Sequence, residues 1–263
     1  MKLHEAEVVS RERFGDHVLL RYRWNDVPPE PGQFVMARAR HLPNGPAPFL
    51  SRPFFAHDHE NGVSSVLFEV RGTGTALLAE EGAPLLVSGP LGRGFGLDGA
   101  GEGPLTLVGG GVWVAPLKLL ARHLTLRGVP HDVYLEIPAT AHAAYAELLS
   151  NSYPSAVLVP TDGSPEAPRV LLERLGDLTG YRAVCVSGSV EMLATAREAC
   201  TGKVATQLAL RERMACADGS CYGCAVPLVG GGYARACVEG PVFAAEEIAW
   251  PPARSAAGAT APR

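Results

Sequence analysis

No stretch of this 263-residue chain approaches the roughly 20 consecutive apolar residues of a membrane-spanning helix. It has no long basic run, and its formal net charge is −4, so it lacks the electrostatic footprint of a nucleic-acid partner. The N-terminus, MKLHEAEVVSRERF, sets acids and arginines among its apolar residues and lacks the unbroken apolar core of a signal peptide. There is no internal repeat. These absences point to a globular protein of the cytoplasm. There, clustered cysteines serve metals or redox chemistry more often than disulfides.

What is present suits one large domain or two to three small ones, with 47% apolar residues to fill the cores. The first hundred residues read as short strands: 5–11, 17–22, GQFVMARA, GVSSVLFEV and APLLVSGP, with one helical piece, GTALLAEE. Their close spacing predicts a small antiparallel barrel. A glycine-rich linker follows at 96–104, and then the rhythm changes. PLTLVGG, HDVYLEI, SAVLVP and YRAVCVSG read as strands, alternating with helices at VAPLKLLARHLTLRG, TAHAAYAELLSN, RVLLERLG and VEMLATAREAC. That alternation predicts an open parallel sheet. The Pro/Ala-rich end, 251–263, reads as a disordered tail.

Four of the six cysteines lie in MACADGSCYGCAVPLVGGGYARAC, with the spacing C-x4-C-x2-C-x12-C: Cys216, Cys221, Cys224 and Cys237. The first three carry the plant-type 2Fe–2S spacing. Two irons and two sulfides need four thiolates from a small volume, and one glycine-rich loop can wrap three of them around a cluster, with Gly219 and Gly223 letting the backbone pass close. A structural zinc would favour two C-x2-4-C knuckles, and no histidine sits nearby, but zinc and free thiols remain alternatives. Cys185 and Cys200 read as small core or surface residues.

A one-electron centre needs an electron source. In FLSRPFFAHD, Arg52 can pair with a phosphate, Pro53 stiffens the strand end, and Phe54 and Phe55 can pack beside a flat ring. In LFEVRGTGTALLAEE a strand runs into Gly72-Thr73-Gly74-Thr75 and a helix, a potential pyrophosphate cradle. GPLGRGF is a third glycine-rich turn. His57 and His59 flank Asp58 in what reads as a solvated loop rather than a metal site.

The motifs GQFVM, SRPFF, GTGT, GPLGRGF, LVGGGVWVAP, TDGS, ERMACADGSCYGC and CVEGPVF, taken in order, resemble the FAD-containing iron–sulfur electron-transfer subunits of type B dihydroorotate dehydrogenase, within the ferredoxin reductase superfamily. The resemblance implies an antiparallel flavin-binding β-barrel at 1–98, a Rossmann-like nucleotide domain at 103–205 and a small C-terminal 2Fe–2S domain at 206–250. It implies FAD on Arg52, Pro53, Phe54 and Phe55, on Leu67, Phe68 and Glu69, and on Gly74 and Thr75. It implies cluster ligation by Cys216, Cys221, Cys224 and Cys237, with NAD on Gly109, Gly110 and Gly111. The expected function is electron transfer between FAD, the cluster and the FMN of a separate catalytic subunit in pyrimidine biosynthesis, in a hetero-oligomer. Alternatives are a related reductase subunit serving a hydrogenase or ferredoxin, or a non-redox zinc-stabilised interaction module.

The sequence departs from that resemblance at three places. Phe55 stands where the family usually has serine, which removes a hydroxyl from the flavin side. Trp113 stands where a glycine is common, and Ser187 where relatives place a thiol. An indole at 113 either fills the nucleotide's path or turns into the core, so a domain that keeps its sheet without NAD is the alternative.

Overall fold

The computed structural model describes residues 2–40, 50–97, 102–164 and 166–250. The expected tail and residues 98–101 of the expected linker lie outside the described residues.

The N-terminal part is a seven-stranded antiparallel sheet. Its strands are β1 (His4–Ala6), β2 (Val8–Phe14), β3 (His17–Arg23), β4 (Phe34–Ala39), β5 (Arg52–Glu60), β6 (Val63–Glu69) and β7 (Leu85–Leu91), with helix α1 (Thr73–Ala79) before β7. The order is β1-β7-β4-β5-β6-β3-β2. Its two edges are neighbouring stretches of chain: β1 pairs with β7, and β2, just past Glu7, pairs with β3. The sheet therefore curls round on itself as the expected barrel. The strand expected at 5–11 is split because Glu7 marks the corner where the chain leaves one neighbour for the other; its carbonyl still accepts from Arg23 N at 2.8 Å. Inside lie Val18, Leu20, Tyr22, Val35, Val66, Phe68 and Val87.

The His57-Asp58-His59 triplet is not a loop. It belongs to β5, whose first half pairs with β4 and second half with β6, with a register shift between Ala56 and Asp58. At that bulge Ala56 and His57 are buried in succession. The alternation that signals a strand is broken there, which is why the triplet reads as polar loop.

The second part runs β8 (Leu105–Gly110), a 3-10 turn (Gly111–Val114), α2 (Ala115–Leu126), β9 (His131–Pro138), α3 (Ala143–Ser152), β10 (Val157–Thr161), α4 (Ala167–Glu173), β11 (Ala183–Ser187), α5 (Val190–Cys200) and β12 (Ala205–Ala209). The parallel order is β10-β9-β8-β11-β12, as the alternating pattern predicts. The central strands β8 and β11 are buried along their whole length and mostly apolar, and α2 turns Leu117, Leu120 and Leu124 inward at helical spacing. Strand order reverses between β8 and β11, so the crevice beyond their carboxyl ends is where such sheets take ligands.

The C-terminal segment carries a hairpin, β13 (Ala225–Pro227) with β14 (Tyr233–Arg235), then β15 (Val242–Ala244). β15 adds antiparallel to β12 and so fastens the cysteine segment to the edge of the parallel sheet. The cores are continuous across the three parts. Leu19 and Leu67 of the barrel pack with Leu107, Leu117 and Leu135, while Phe34 and Met36 pack with Val108, Val186, Cys224 and Ile248. No described helix is long and apolar enough to cross a membrane.

Candidate functional site

A cleft of about 1330 Å3 opens between the barrel, the end of the parallel sheet and the cysteine segment. It is larger than the roughly 300–1,000 Å3 of ordinary small-molecule pockets. Its barrel wall includes Arg52, Pro53, Phe54, Phe55, Leu67, Phe68, Glu69, Gly74 and Thr75. The sequence motifs on the flavin side thus converge on one surface.

Arg52 begins β5 and its guanidinium lies over Gly74 in the first turn of α1, where a β-carbon on residue 74 would collide with it. Its Nη1 also donates to Leu50 O at 2.7 Å. A cation held beside a glycine at a helix start is a geometry that could hold a phosphate. The threonine does something different from the expected cradle. Thr75 Oγ1 accepts from Arg71 N at 3.0 Å and Gly72 N at 3.2 Å and donates to Gly72 O at 3.0 Å, so it closes its own turn. Phe54 packs toward the barrel interior, 5.2 Å from Phe68 between ring centroids, whereas Phe55 points to the two shared cores. Adjacent strand residues face opposite sides, yet both line the cleft.

Leu67, Phe68 and Glu69 extend β6 past the last residue that pairs with β5, Val66. They keep β3 on one side, and on the other β5 has turned away to β4. That splay opens the barrel wall and leaves a strand edge facing the cleft. Such an edge can hydrogen-bond the polar rim of a flat ring.

On the opposite wall stand Val112, Trp113, Gly188 and Ser189, at the reversal of strand order. Gly109, Gly110 and Gly111 do not line the cleft. Gly109 faces Leu117 and the Ser187 carbonyl, and Gly110 faces the Glu136 carboxylate, each too closely for a side chain. Gly111 has φ +55, and its carbonyl accepts from Tyr145 Oη at 2.7 Å. Ser187 is buried and donates from Oγ to Trp113 O at 2.6 Å.

The third wall is Leu210, Arg211, Glu212, Arg213 and Met214, which leads directly into Cys216, together with Pro241 and Trp250. The motif reading missed Arg211, which stacks over the Trp113 ring at 4.3 Å, and Trp250. The available signal was the paired arginines in LALRERMAC, between β12 and Cys216.

The cysteine loop is curled by left-handed residues, Ala217 (φ 57), Gly219 (φ 85) and Tyr222 (φ 54), a shape that turns N–H groups inward. Cys221 N approaches Cys216 Sγ at 3.4 Å, and Gly223 N approaches Cys221 Sγ at 3.3 Å. Burial alone would raise the Cys216 thiol. Donors from Asp218, Cys221 and Ser220 override it and bring its pKa to about 6, so a thiolate is accessible near neutral pH. Cys224 and Cys237 are buried together, and burial, then the neighbouring Cys224 thiol, push Cys237 up to about 12. A metal relieves that cost by taking the proton's place. Cys216 feels Cys221, and Cys237 feels both Cys224 and Cys216, so the four thiols influence one another electrostatically. Among the described residues no three such groups converge as one metal ion would require. Arg235 braces the loop: it ion-pairs with Glu239, donates to Gly219 O at 3.3 Å and lies over Tyr222. Cys185 and Cys200 are both buried away from this site, in β11 and α5.

Residues 211–249 match the iron–sulfur cluster binding domain of dihydroorotate dehydrogenase B. The chain is 32% identical over 253 residues to the dihydroorotate dehydrogenase B (NAD(+)) electron transfer subunit of Caldanaerobacter subterraneus subsp. tengcongensis, covering 93% of this chain and 97% of that one. It is 35% identical over 229 residues to the subunit of the same name from Geobacillus thermodenitrificans, covering 83% and 86%. In fold it is similar to the NADH-dependent reduced ferredoxin-NADP oxidoreductase (TM-score 0.72, 24% identity, 94% and 90% covered) and to phthalate dioxygenase reductase (TM-score 0.62, 17% identity, 86% of each). With that identity sustained over nearly the whole of both chains, the protein belongs to the family of dihydroorotate dehydrogenase B electron transfer subunits.

Proposed function

We propose that this chain holds FAD in the cleft and a 2Fe–2S cluster on Cys216, Cys221, Cys224 and Cys237. In this reading it works in the cytoplasm, in pyrimidine synthesis, as the partner of an FMN-containing subunit that oxidises dihydroorotate. The observation that carries the reading is a shared wall: the segment from Leu210 to Met214 lines the cleft and runs straight into the first ligand cysteine. A centre in the cleft and a centre in the loop are then neighbours.

When bound, FAD supplies two-electron chemistry that can be divided into single electrons, and the cluster carries them one at a time. The protein's part is positional. Arg52 offers charge to a phosphate, and Gly74 leaves room for it. The free edge of Leu67, Phe68 and Glu69 orients a ring, while the buried rows on either side keep water out. In the loop Cys224 and Cys237 are buried whereas Cys221 is exposed. Tyr222, Val229 and Tyr233 of the same segment are exposed, and this apolar surface beside the loop is the candidate docking face for the catalytic subunit.

The test is co-purification with the candidate FMN subunit, with FAD, FMN, iron and sulfide assayed. One FAD, two irons and two sulfides per chain are expected. Zinc in place of iron, or no flavin in a folded complex, would overturn the reading.

A further inference from the structure

The relatives carry NAD(+) in their names, yet the residues at the end of this parallel sheet do not fit a dinucleotide. A pyrophosphate at the reversal of strand order needs an accessible helix start and no fixed negative charge beside it. Here Gly109 and Gly110 are buried against the chain itself, and the Glu136 carboxylate comes within 2.7 Å of where a Gly110 side chain would begin. Glu136 is held there by Thr161, whose Oγ1 donates to it at 2.8 Å. A fixed carboxylate repels phosphate.

The turn that carries Trp113 is pinned from three elements. Gly111 O accepts from Tyr145 Oη (2.7 Å), Trp113 O from Ser187 Oγ (2.6 Å) and Val114 O from Tyr153 Oη (2.8 Å), while Ala115 O accepts from His57 Nδ1 (3.2 Å). These donors come from α3 and the residue that caps it, from β11 and from β5. The backbone therefore cannot swing the indole aside without giving up bonds to buried partners. On the cleft side the Arg211 guanidinium stacks on the ring. Trp113 lines the same cleft as Arg52, Phe54 and Phe55, together with Gly188 and Ser189 at the strand ends.

We propose that Trp113, pinned through its backbone and capped by Arg211, is the residue that denies this subunit a nicotinamide dinucleotide. The subunit then exchanges electrons through its protein partners alone. Placing the indole next to a flavin rests on the function proposed above; the exclusion of the dinucleotide does not.

The test uses the full chain, as purified and flavin-loaded. NADH and NAD+ are titrated calorimetrically to about 1 mM, and anaerobic bleaching of the flavin band by NADH is compared with bleaching by dithionite. Wild type is expected to give no saturable heat and no bleaching by NADH, with full bleaching by dithionite. Trp113→Gly is expected to gain saturable NADH binding, at least roughly tenfold tighter than any wild-type signal. Arg211→Ala, which frees the ring without altering the turn, serves if the glycine variant does not fold, and is expected to gain weaker binding. Saturation of wild type at micromolar NADH would overturn the inference. So would folded variants at both positions that still give no heat. Absence of FAD from every preparation would count against the flavin reading, while calorimetry would still decide the dinucleotide question.

Discussion

Arg52 of β5 lies over Gly74 of α1, in the space that any β-carbon at residue 74 would need. The two come from separate motifs, and neither has the same meaning alone. Gly74 is not in a left-handed conformation, so its lack of a side chain serves the arginine rather than the backbone.

Replacing Arg52 with alanine should weaken FAD retention by about one to two decades, since a charged hydrogen bond to phosphate contributes roughly 1.5–3 kcal/mol. Gly74→Ala should do much of the same by pushing the guanidinium away. The double variant should then lose little more than Arg52→Ala, because both changes remove one interaction. FAD content after gel filtration and a dissociation constant for each variant check this; fully additive losses would mean that the two residues act separately.

Cys221→Ser should strip the cluster and leave FAD bound. The thiol is exposed and pairs with Cys216, whereas the flavin wall is built from β5, β6 and α1. Iron and sulfide should fall below half of wild type, with the flavin spectrum unchanged. Loss of both cofactors from a folded chain would argue that the sites are one.

The parallel sheet was legible because short apolar runs and amphipathic helices alternate at the spacing of a βα repeat. The cysteine loop was legible because ligand spacing is a covalent constraint. The end of β5 was not, since the bulge at Ala56 and Asp58 breaks the alternation. Nor were the roles of Gly109 and Gly110. A glycine needed for packing against Leu117 or Glu136 looks the same in sequence as one needed for a ligand. Arg211 meets Trp113 only through folding, as almost a hundred residues separate them.

His57 gives the protein an acid-sensitive joint between barrel and parallel sheet. Burial lowers its pKa to about 4, against an opposing hydrogen bond to Ala115 O and reinforced by Lys118 and Arg21. The unfolded chain takes up this proton near 6.5, so between about 6.5 and about 4 the unfolded state binds more protons. Stability should therefore fall as pH drops through that window and level off below it, by about 3 kcal/mol from this group. His57→Asn can still donate to Ala115 O but does not titrate. Its urea midpoint should be lower than wild type at pH 7 yet fall less on acidification; parallel slopes would remove His57 from the account.

Tyr153→Phe should cost about 1–3 kcal/mol, because the hydroxyl donates to the Val114 carbonyl in a fully buried pair. Thermal unfolding checks it. An unchanged midpoint would show that the turn carrying Trp113 is held by its other donors alone.

The central claim is that electrons pass between FAD and the catalytic subunit through the cluster on the four cysteines. Anaerobic titration of the reconstituted complex with dihydroorotate, followed in the visible region, tests it most directly. In wild type, both FMN and FAD should bleach together with the cluster bands. In the complex containing Cys221→Ser, FMN should bleach at an unchanged rate while FAD stays oxidised. FAD reduced equally fast without the cluster would contradict the account.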